Sequence, residues 1–313
     1  MERSLATGVA FGVAAGALWG AVFIAPEVTP GFTAMQVSAG RYLAYGVIAL
    51  ALALPRWRTL AVQLNTGDWI ALARLGLLGN IVYYIFLAHA VRLAGAPPAS
   101  FIVGLLPVVI TIIGSRERGA VRLSVLAPSL VLAVVGVGLI AASAIHQNAT
   151  ADWGLQAIGL LCAFGALGSW ALFAVGNARR MARLPSLSSN DWSLLLGIVS
   201  GAEALLLALP AFGFEPAHHD GDAWLRFIAV SSGIAITASI IGNAFWNSAS
   251  RRLPMTLTGQ MVIFETLFAL FYSFLWEGRL PRWTETLAIA ALVGAVTWCA
   301  RLHRSAVGHM PAD

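Results

Sequence analysis

Glu265, Arg41 and Glu203 lie inside long apolar stretches of this 313-residue sequence, where charge is rare and chemically informative. Glu265 lies near the middle of its stretch, and an ionised carboxylate at that depth is costly unless it faces a cavity or a partner. It could receive an ammonium group, carry a proton, or be a hydrogen-bonded structural residue. Arg41 and Glu203 each lie about 10 Å from one end of their stretches. They could form an ion pair, or Arg41 could hold the carboxylate of a small molecule.

Aromatic and amide side chains recur in the same stretches. Five large aromatic residues could stack on a ring or shield an aliphatic group, although ordinary core packing is the alternative: Trp19, Tyr83, Tyr84, Trp170 and Trp246. Asn80 and Asn243 add uncharged polar groups, which suit a zwitterion but equally suit bonds between helices. Together with Arg41 and Glu265, these seven residues form the candidate substrate-binding set.

Other kinds of site are poorly represented. The chain contains no lysine, which excludes Schiff-base chemistry and a P-loop. It also contains no HExxH or GxSG motif and no aspartate in the middle of an apolar stretch. Cys162 and Cys299 lack the spacing of a metal or redox pair. Four clustered polar residues could bind a metal, but a solvated loop is the simpler interpretation: His218, His219, Asp220 and Asp222. We therefore expect no metal, no cofactor and no enzyme active site.

The elements that must position these residues are membrane-spanning helices. The sequence is 59% hydrophobic and 11% charged, with a mean hydropathy of +0.81, whereas soluble domains carry about 25% charged residues. A spanning helix needs roughly 20 mainly apolar residues. The apolar stretches predict an all-α integral membrane protein with helices at residues 5 to 25, 34 to 54, 69 to 91, 97 to 114, 123 to 143, 154 to 177, 191 to 211, 224 to 248, 255 to 275 and 284 to 301.

The arginines predict the orientation of these helices. Arginines that flank spans are kept on the cytoplasmic side, and their dispersal between apolar stretches argues against nucleic-acid binding. With the amino terminus inside, thirteen fall in inner segments: Arg3, Arg56, Arg58, Arg116, Arg118, Arg122, Arg179, Arg180, Arg183, Arg251, Arg252, Arg301 and Arg304. Four fall in outer segments: Arg92, Arg226, Arg279 and Arg282. We expect a multi-pass protein of the inner membrane, in contact with lipid, with both termini in the cytoplasm.

An internal repeat divides the chain into two halves, residues 1–147 and 148–313. LLGNIVYY around Asn80 recurs as IIGNAFWN around Asn243, LALP at residues 52–55 recurs at 207–210, and AGALWGAVF around Trp19 matches FGALGSWALF around Trp170. Because five helices is an odd number, the second half must enter the membrane from the opposite side. Inverted repeats are typical of secondary transporters, which expose a midplane site alternately to the two sides. A channel or an intramembrane enzyme is disfavoured.

Several segments resemble the drug/metabolite transporter superfamily, in particular its EamA-type ten-helix group. They are ALWG at residues 17–20, GRYLAYG around Arg41, LLPVV around Pro107, and FET to WEGRLP at residues 264–281. The resemblance covers nearly the whole chain. The family usually carries a proline in the fourth helix and at the matching place in the ninth. Here Pro107 is kept but Thr266 replaces its counterpart, so we expect a less kinked ninth helix.

The resemblance implies a central cavity built by helices 1 to 4 and 6 to 9. The aromatic density of the chain is most similar to that of exporters of aromatic amino acids. The resemblance therefore implies export or exchange of amino acids or similar small metabolites. It also implies a monomer or homodimer, with possible proton coupling. A carrier of drugs or other metabolites is the alternative.

The first helix has a glycine at every fourth residue: Gly8, Gly12, Gly16 and Gly20. This face either packs against a neighbour or lets the helix slide during transport.

Overall fold

The computed structural model describes residues 2–94, 96–117, 120–144, 153–214 and 219–307, and every regular element in these ranges is helical. Arg118, His218 and the boundary expected at 147/148 lie outside them. We number the long helical segments in chain order: α1 (Glu2–Gly20), α2 (Ala34–Ala53), α3 (Thr66–Gly76 and Tyr83–Ala94), α4 (Ala96–Val103 and Leu106–Gly114), α5 (Leu123–Ala144), α6 (Trp153–Ala182), α7 (Ser189–Glu203 and Leu205–Gly213), α8 (Gly221–Ile234 and Asn243–Ser250), α9 (Met255–Met261 and Ile263–Glu277) and α10 (Trp283–Val307). Short helical turns follow α1 at Ala21–Ile24 and Ala25–Val28, and follow α2 at Leu54–Arg56 and Trp57–Ala61.

Capping residues fix where several helices begin. Four residues each precede a helix and accept a hydrogen bond from the backbone N–H three residues later: Thr33, Asn65, Ser188 and Asp220. Each bond satisfies one of the free donors of the first helical turn. Among the described residues, nine helices are long and apolar enough to cross a membrane, and α4 adds a shorter apolar stretch at Pro98–Gly114. The expected all-helical chain is confirmed for the described residues.

Two ion pairs between neighbouring segments lie at one end of the bundle, which we call the arginine-rich end. Ion pairs join Arg56 to Asp191 at 2.9 Å and Arg180 to Asp68 at 2.5 Å, and so connect α2 with α7 and α6 with α3. At the opposite end an aromatic cluster forms around Phe32, whose ring stacks on Phe227 with centroids 4.3 Å apart. Successive spans cross the membrane in opposite directions, which assigns alternate loops to the same side. Loops assigned to one side are therefore neighbours in space.

Helix packing follows one pattern in both parts of the chain. α2 packs along α7, and α5 packs along α10. α1 packs against α8 and α9, whereas α6 packs against α3 and α4. The contact between α2 and α7 is so close that a Cβ atom at Gly46 would lie 2.6 Å from the Cα of Gly201. Bulkier residues at either position would separate the two helices.

α3 and α8 each contain a π-helical turn, Leu77–Val82 in α3 and Ala235–Gly242 in α8. Both turns overlap the repeated Gly-Asn motif. In each, a side chain from another helix donates a hydrogen bond to a backbone carbonyl: Ser169 to Leu78 at 2.7 Å, and Trp19 to Ala238 at 3.1 Å. π-helical turns disturb the regular backbone ladder and often mark functional positions.

α4 and α9 are both interrupted, α4 at residues 104–105 and α9 at Val262. Pro107 accounts for the first break because proline cannot donate a backbone hydrogen bond. The ninth helix was expected to be less kinked because it lacks this proline. It is nevertheless interrupted at Val262, where backbone N–H groups bond the carbonyl of the third preceding residue. Tertiary contact accompanies this break: Gln260 donates to Thr111 of α4 at 3.2 Å.

The glycine face of α1 packs against α9 and the segment before it. A Cβ atom at Gly8 would lie 2.6 Å from Leu253, and one at Gly12 would lie 2.7 Å from Met261. At Gly16 it would approach the backbone nitrogen of Glu265 to 2.9 Å. The glycines therefore bring the backbone of α1 directly against the part of α9 that carries Glu265.

The WEGRLP segment ends α9. Gly278 adopts a left-handed conformation with φ of 62°, and the N–H of Arg279 bonds the carbonyl of Phe274 at 3.1 Å, as is common after a helix. Arg279 also binds Glu285 at 2.7 Å and contacts Glu277. Its hydrogen bonds to Glu285 and Glu277 raise the pKa of Arg279 above its usual value. This segment ties α9 to α10.

Candidate functional site

Arg41 lies in the second turn of α2 and points toward the π-helical turn of α8. Its Nε donates a hydrogen bond to Ser239 Oγ at 2.8 Å, and its guanidinium carbon lies 5.2 Å from the centre of the Tyr42 ring. The side chain is only partly buried. One hydrogen bond therefore orients the guanidinium and leaves its other donors for another group.

Glu265 lies in the first turn of the second part of α9, immediately after the break at Val262. Its side chain keeps some accessible surface although it lies deep in the helix bundle. It interacts electrostatically with Arg41 and with the hydroxyl of Tyr83. Within the described ranges, no direct ion pair of 4.0 Å or less joins Arg41 and Glu265. The two opposite charges are close enough to interact but are not in contact.

Tyr83 and Tyr84 are the first residues after the π-helical turn of α3, and both are partly buried. Both interact electrostatically with Arg41 and with Tyr42. The structure thus brings four of the predicted residues into one cluster, which we call the charged cluster: Arg41, Tyr83, Tyr84 and Glu265. Sequence reasoning missed Tyr42, although it directly follows Arg41 in the GRYLAYG segment.

Three predicted tryptophans form a separate aromatic cluster. Trp19 lies 5.2 Å from Trp246 and 6.2 Å from Trp170, measured between ring centroids, and Trp170 lies 6.1 Å from Trp246. Trp19 is 8% exposed and Trp246 is 2% exposed, whereas Trp170 is only partly buried. In this conformation Trp170 has accessible surface, while Trp19 and Trp246 are largely enclosed by protein.

The two predicted asparagines bridge helices. Asn80 donates to Ser200 of α7 at 2.7 Å, and Asn243 interacts with Tyr45 in α2. Tyr45 donates to the backbone carbonyl of Ser193 at 2.5 Å. Both asparagines therefore lie at helix interfaces that involve the GN repeats.

A buried network that sequence reasoning missed lies between α6, α7 and α8. The indole of Trp192 donates to Asn177 Oδ1 at 2.7 Å, and Asn177 donates to Asn247 Oδ1 at 2.9 Å. Asn177 stands inside a long apolar stretch. A polar side chain at such a position was the available sequence signal, but its partners lie too far along the chain to be inferred.

The ion pair suggested between Arg41 and Glu203 does not form. Glu203 packs against Gly76 of α3, and its Oε2 atom has no hydrogen-bond partner in the described part of the chain. Arg41 instead faces Ser239 in α8. The two residues share a depth but point in different directions around α2 and α7, which sequence spacing alone does not reveal.

The polar loop before α8 has structural contacts. Asp220 caps α8 by accepting from the N–H of Ala223 at 2.8 Å, and the His219 ring lies 4.1 Å from the ring of Phe32. No group of three or more metal-binding side chains occurs among the residues that the structure describes. Two clefts, of about 370 and 300 Å³, lie between α1 and α9 and between α3 and α6, away from the charged cluster.

α4 and α9 differ in packing at the two ends of the bundle. At the arginine-rich end, Leu106–Gly114 packs on Met255–Met261, and Thr111 donates to the carbonyl of Thr256 at 3.1 Å. Beyond the breaks, Ala96–Val103 packs on α3, α5 and α6, whereas Ile263–Glu277 packs on α1. The two helices therefore diverge from the level of Glu265 toward the opposite end.

Comparison with known proteins assigns the family. The sequence profile of the EamA-like transporter family matches residues 6–142 and again residues 157–300. The chain is 33% identical over 312 residues to the inner membrane protein YtfF of Escherichia coli strain K12, covering 95% of this chain and 96% of that protein. A solved crystal structure with 21% identity has the same fold, with a TM-score of 0.73 over 96% of this chain and 98% of the other. The chain therefore belongs to the EamA-like transporter family, within the drug/metabolite transporter superfamily, and is a multi-pass membrane transporter.

Proposed function

We propose that this transporter exports or exchanges amino acids, preferring aromatic and other apolar ones, or similar small metabolites by alternating access. The observation that carries the proposal is the separation of Arg41 and Glu265 in the charged cluster. Opposite charges inside a membrane protein usually pair directly, because isolated charges are costly there. Two that interact without a direct ion pair would both be satisfied by a bound molecule that carries both charges.

A zwitterion fits this arrangement. The guanidinium of Arg41 can bind an α-carboxylate through its free donors, since Ser239 occupies only Nε. The carboxylate of Glu265 can accept from the α-ammonium group. The bound amino acid would then bridge the two charges and restore a neutral site.

Aromatic residues beside this bridge support a preference for large apolar side chains. Tyr83 and Tyr84 flank the charges and keep accessible surface, as does Trp170. An aromatic contact contributes about 0.5 to 1.5 kcal/mol beyond the area that it buries. Trp19 and Trp246 would contribute mainly by holding Trp170 in place.

The proposed architecture is ten spans in two inverted repeats, residues 1–147 and 148–313, with both termini in the cytoplasm. The twofold match of the family profile, the two π-helical turns and the reciprocal packing of α1 and α6 support the repeat. Gly46 and Gly201 are equivalent when the LALP segments are aligned, and they contact each other. Contact between two equivalent residues is expected where they lie next to the pseudo-twofold axis that relates the proposed repeats.

Alternating access would use α4 and α9. Their contact at the arginine-rich end closes the proposed cytoplasmic side, and their divergence beyond the breaks would open the route to the charged cluster from outside. The name of the relative YtfF, an inner membrane protein, supports placement in the inner membrane. Proton coupling through Glu265 is part of the proposal, because a carboxylate that releases its substrate can accept a proton in its place.

Reconstituted flux tests the proposal. Purified protein in liposomes should accumulate labelled phenylalanine, and Glu265→Gln and Arg41→Gln should each lower flux by at least tenfold, since a hydrogen bond to a charged group contributes about 1.5 to 3 kcal/mol. Glu203→Gln is the matched control, because it makes the same change at another buried carboxylate, and should leave flux within about twofold.

Thermal stability of each variant separates folding from transport. Loss of stability with normal flux per folded molecule would assign Glu265 a structural role. Flux of organic cations that depends on Glu265 but not on Arg41 would favour a drug carrier. If coupling runs through Glu265, the Gln variant also loses the pH dependence of flux.

A further inference from the structure

A groove lies between α3 and α6 at the arginine-rich end, with a volume of about 300 Å³. α3 contributes Gly67, Ile70, Ala71 and Arg74, and α6 contributes Gly176, Arg179, Arg180 and Arg183, so each helix presents one face with the spacing i, i+3, i+4 and i+7. α6 packs extensively on the later part of α3 and much less on Thr66–Gly76. The two helices therefore separate toward this end, and four arginines line the gap. We call it the arginine groove.

The positive charge of the arginine groove is only partly neutralised. Arg180 pairs with the buried Asp68 at 2.5 Å, yet its Nε atom is buried without a hydrogen-bond partner. Arg179 reaches Glu117 at 3.4 Å, a long contact between exposed side chains. Arg74 and Arg183 are exposed and have no ion pair in the described ranges. At least two full positive charges thus face the groove without a protein counter-ion.

Small and apolar residues shape the rest of the groove. Gly176 lets Leu75 approach the backbone of α6 closely, since an added Cβ atom would lie 3.1 Å from the Leu75 side chain. Ile70, one turn from Arg74 on α3, is 47% exposed. The groove therefore combines guanidinium groups with exposed apolar surface at the arginine-rich end of the bundle. This polarity matches a phospholipid, which has an anionic headgroup above acyl chains.

We propose that the arginine groove binds the phosphate-bearing headgroup of an anionic phospholipid. Guanidinium groups form paired hydrogen bonds with phosphate oxygens. Arg74 and Arg183 hold the phosphate from the two helices, and Arg179 and Arg180 complete the positive wall. A bound headgroup joins α3 to α6 where their direct packing is weakest.

Lipid binding to the delipidated full-length protein tests this site. Native mass spectrometry measures the affinity for phosphatidylglycerol, and thermal unfolding measures its stabilising effect. The variant Arg74→Gln with Arg183→Gln should weaken phosphatidylglycerol binding about 30-fold, because each arginine near a membrane surface contributes about fivefold. The matched control, Arg58→Gln with Arg122→Gln, removes the same charge from the same end outside the groove, and should change the affinity less than about twofold.

Three outcomes overturn the proposal. Equal weakening in the groove variant and the control would indicate general surface attraction. Equal stabilisation by phosphatidylcholine would remove the requirement for net negative charge. Equal stabilisation by inorganic phosphate would assign the groove to a free anion rather than to a lipid. If the double variant does not fold, Arg183→Gln alone should weaken binding about fivefold. Arg74 and Arg183 do not belong to the charged cluster. Failure of the lipid-binding proposal would therefore leave the proposed transport function unaffected.

Discussion

The two ends of the α4–α9 pair differ in packing, although corresponding parts of the chain build them in the proposed inverted repeat. At the arginine-rich end, Leu106–Gly114 lies on Met255–Met261, with Thr111 bonded to both Thr256 and Gln260. At the other end the same helices pack on different neighbours. In an inverted repeat the two ends are equivalent by sequence. The observed packing therefore corresponds to one conformation. In the other conformation, α4 and α9 would be apart at the arginine-rich end and in contact at the opposite end.

The charged cluster shows a second asymmetry. Aligning the two LALP segments places Leu196 at the position of Arg41, and matching Pro107 with Thr266 places Leu106 at the position of Glu265. Both leucines are buried. The proposed repeat thus duplicates the scaffold but not the charges, so a single polar site would serve both proposed conformations.

Labelling of introduced cysteines gives the largest expected effect on this comparison, because it is all or none. In a background with Cys162 and Cys299 replaced by alanine, cysteines at Glu117 and Arg252 should be shielded from an impermeant thiol reagent in intact cells. A cysteine at Asp220 should be labelled. Permeabilised cells, in which all three should react, provide the control. Labelling at Arg252 but not at Asp220 would reverse the assignment of the closed end.

A bulky residue in the packed end should have the next largest effect. A Cβ atom at Gly259 would already lie 3.0 Å from Ile110, so Gly259→Leu overpacks the contact and should lower the free energy of unfolding by about 1 to 3 kcal/mol. Flux per folded molecule should fall at least tenfold, because the end can no longer close.

Gly168→Leu is the matched control, since nothing lies within 4 Å of a Cβ atom there. It should change neither stability nor flux appreciably. If both variants behave alike, the packed end is not a closing contact, and the comparison between the two ends loses its functional meaning.

Truncation of the half-exposed rings should have the smallest effect. Trp170→Ala and Tyr83→Ala should each weaken binding of phenylalanine roughly 2- to 13-fold, since an aromatic contact contributes about 0.5 to 1.5 kcal/mol. Threonine should lose less because it is too small to contact both walls. Competition of phenylalanine, tryptophan, methionine and threonine against a labelled substrate measures this. Equal losses for all four would make the rings packing elements.

Much of the fold was predictable because it depends on local composition. Apolar stretches predicted each of the long helices, and the resemblance of ALWG, GRYLAYG and WEGRLP identified the family that the sequence profile confirms. The short helices Ala25–Val28 and Trp57–Ala61 were not predicted. The candidate site was only partly predictable. Arg41 interacts electrostatically with Tyr83, Tyr84 and Glu265. Of the alternatives for Arg41, the pair with Glu203 does not form, because depth along a helix says nothing about direction around it.

Sequence alone determined which segments are helical, since membrane helices must satisfy their own backbone hydrogen bonds and keep apolar residues toward lipid. Tertiary structure decided where those helices are distorted and which polar groups face one another. The break at Val262 has no proline to announce it, and the π-helical turns bond to Trp19 and Ser169 from helices far along the chain. Such features depend on contacts between distant segments, which only the packed bundle brings together.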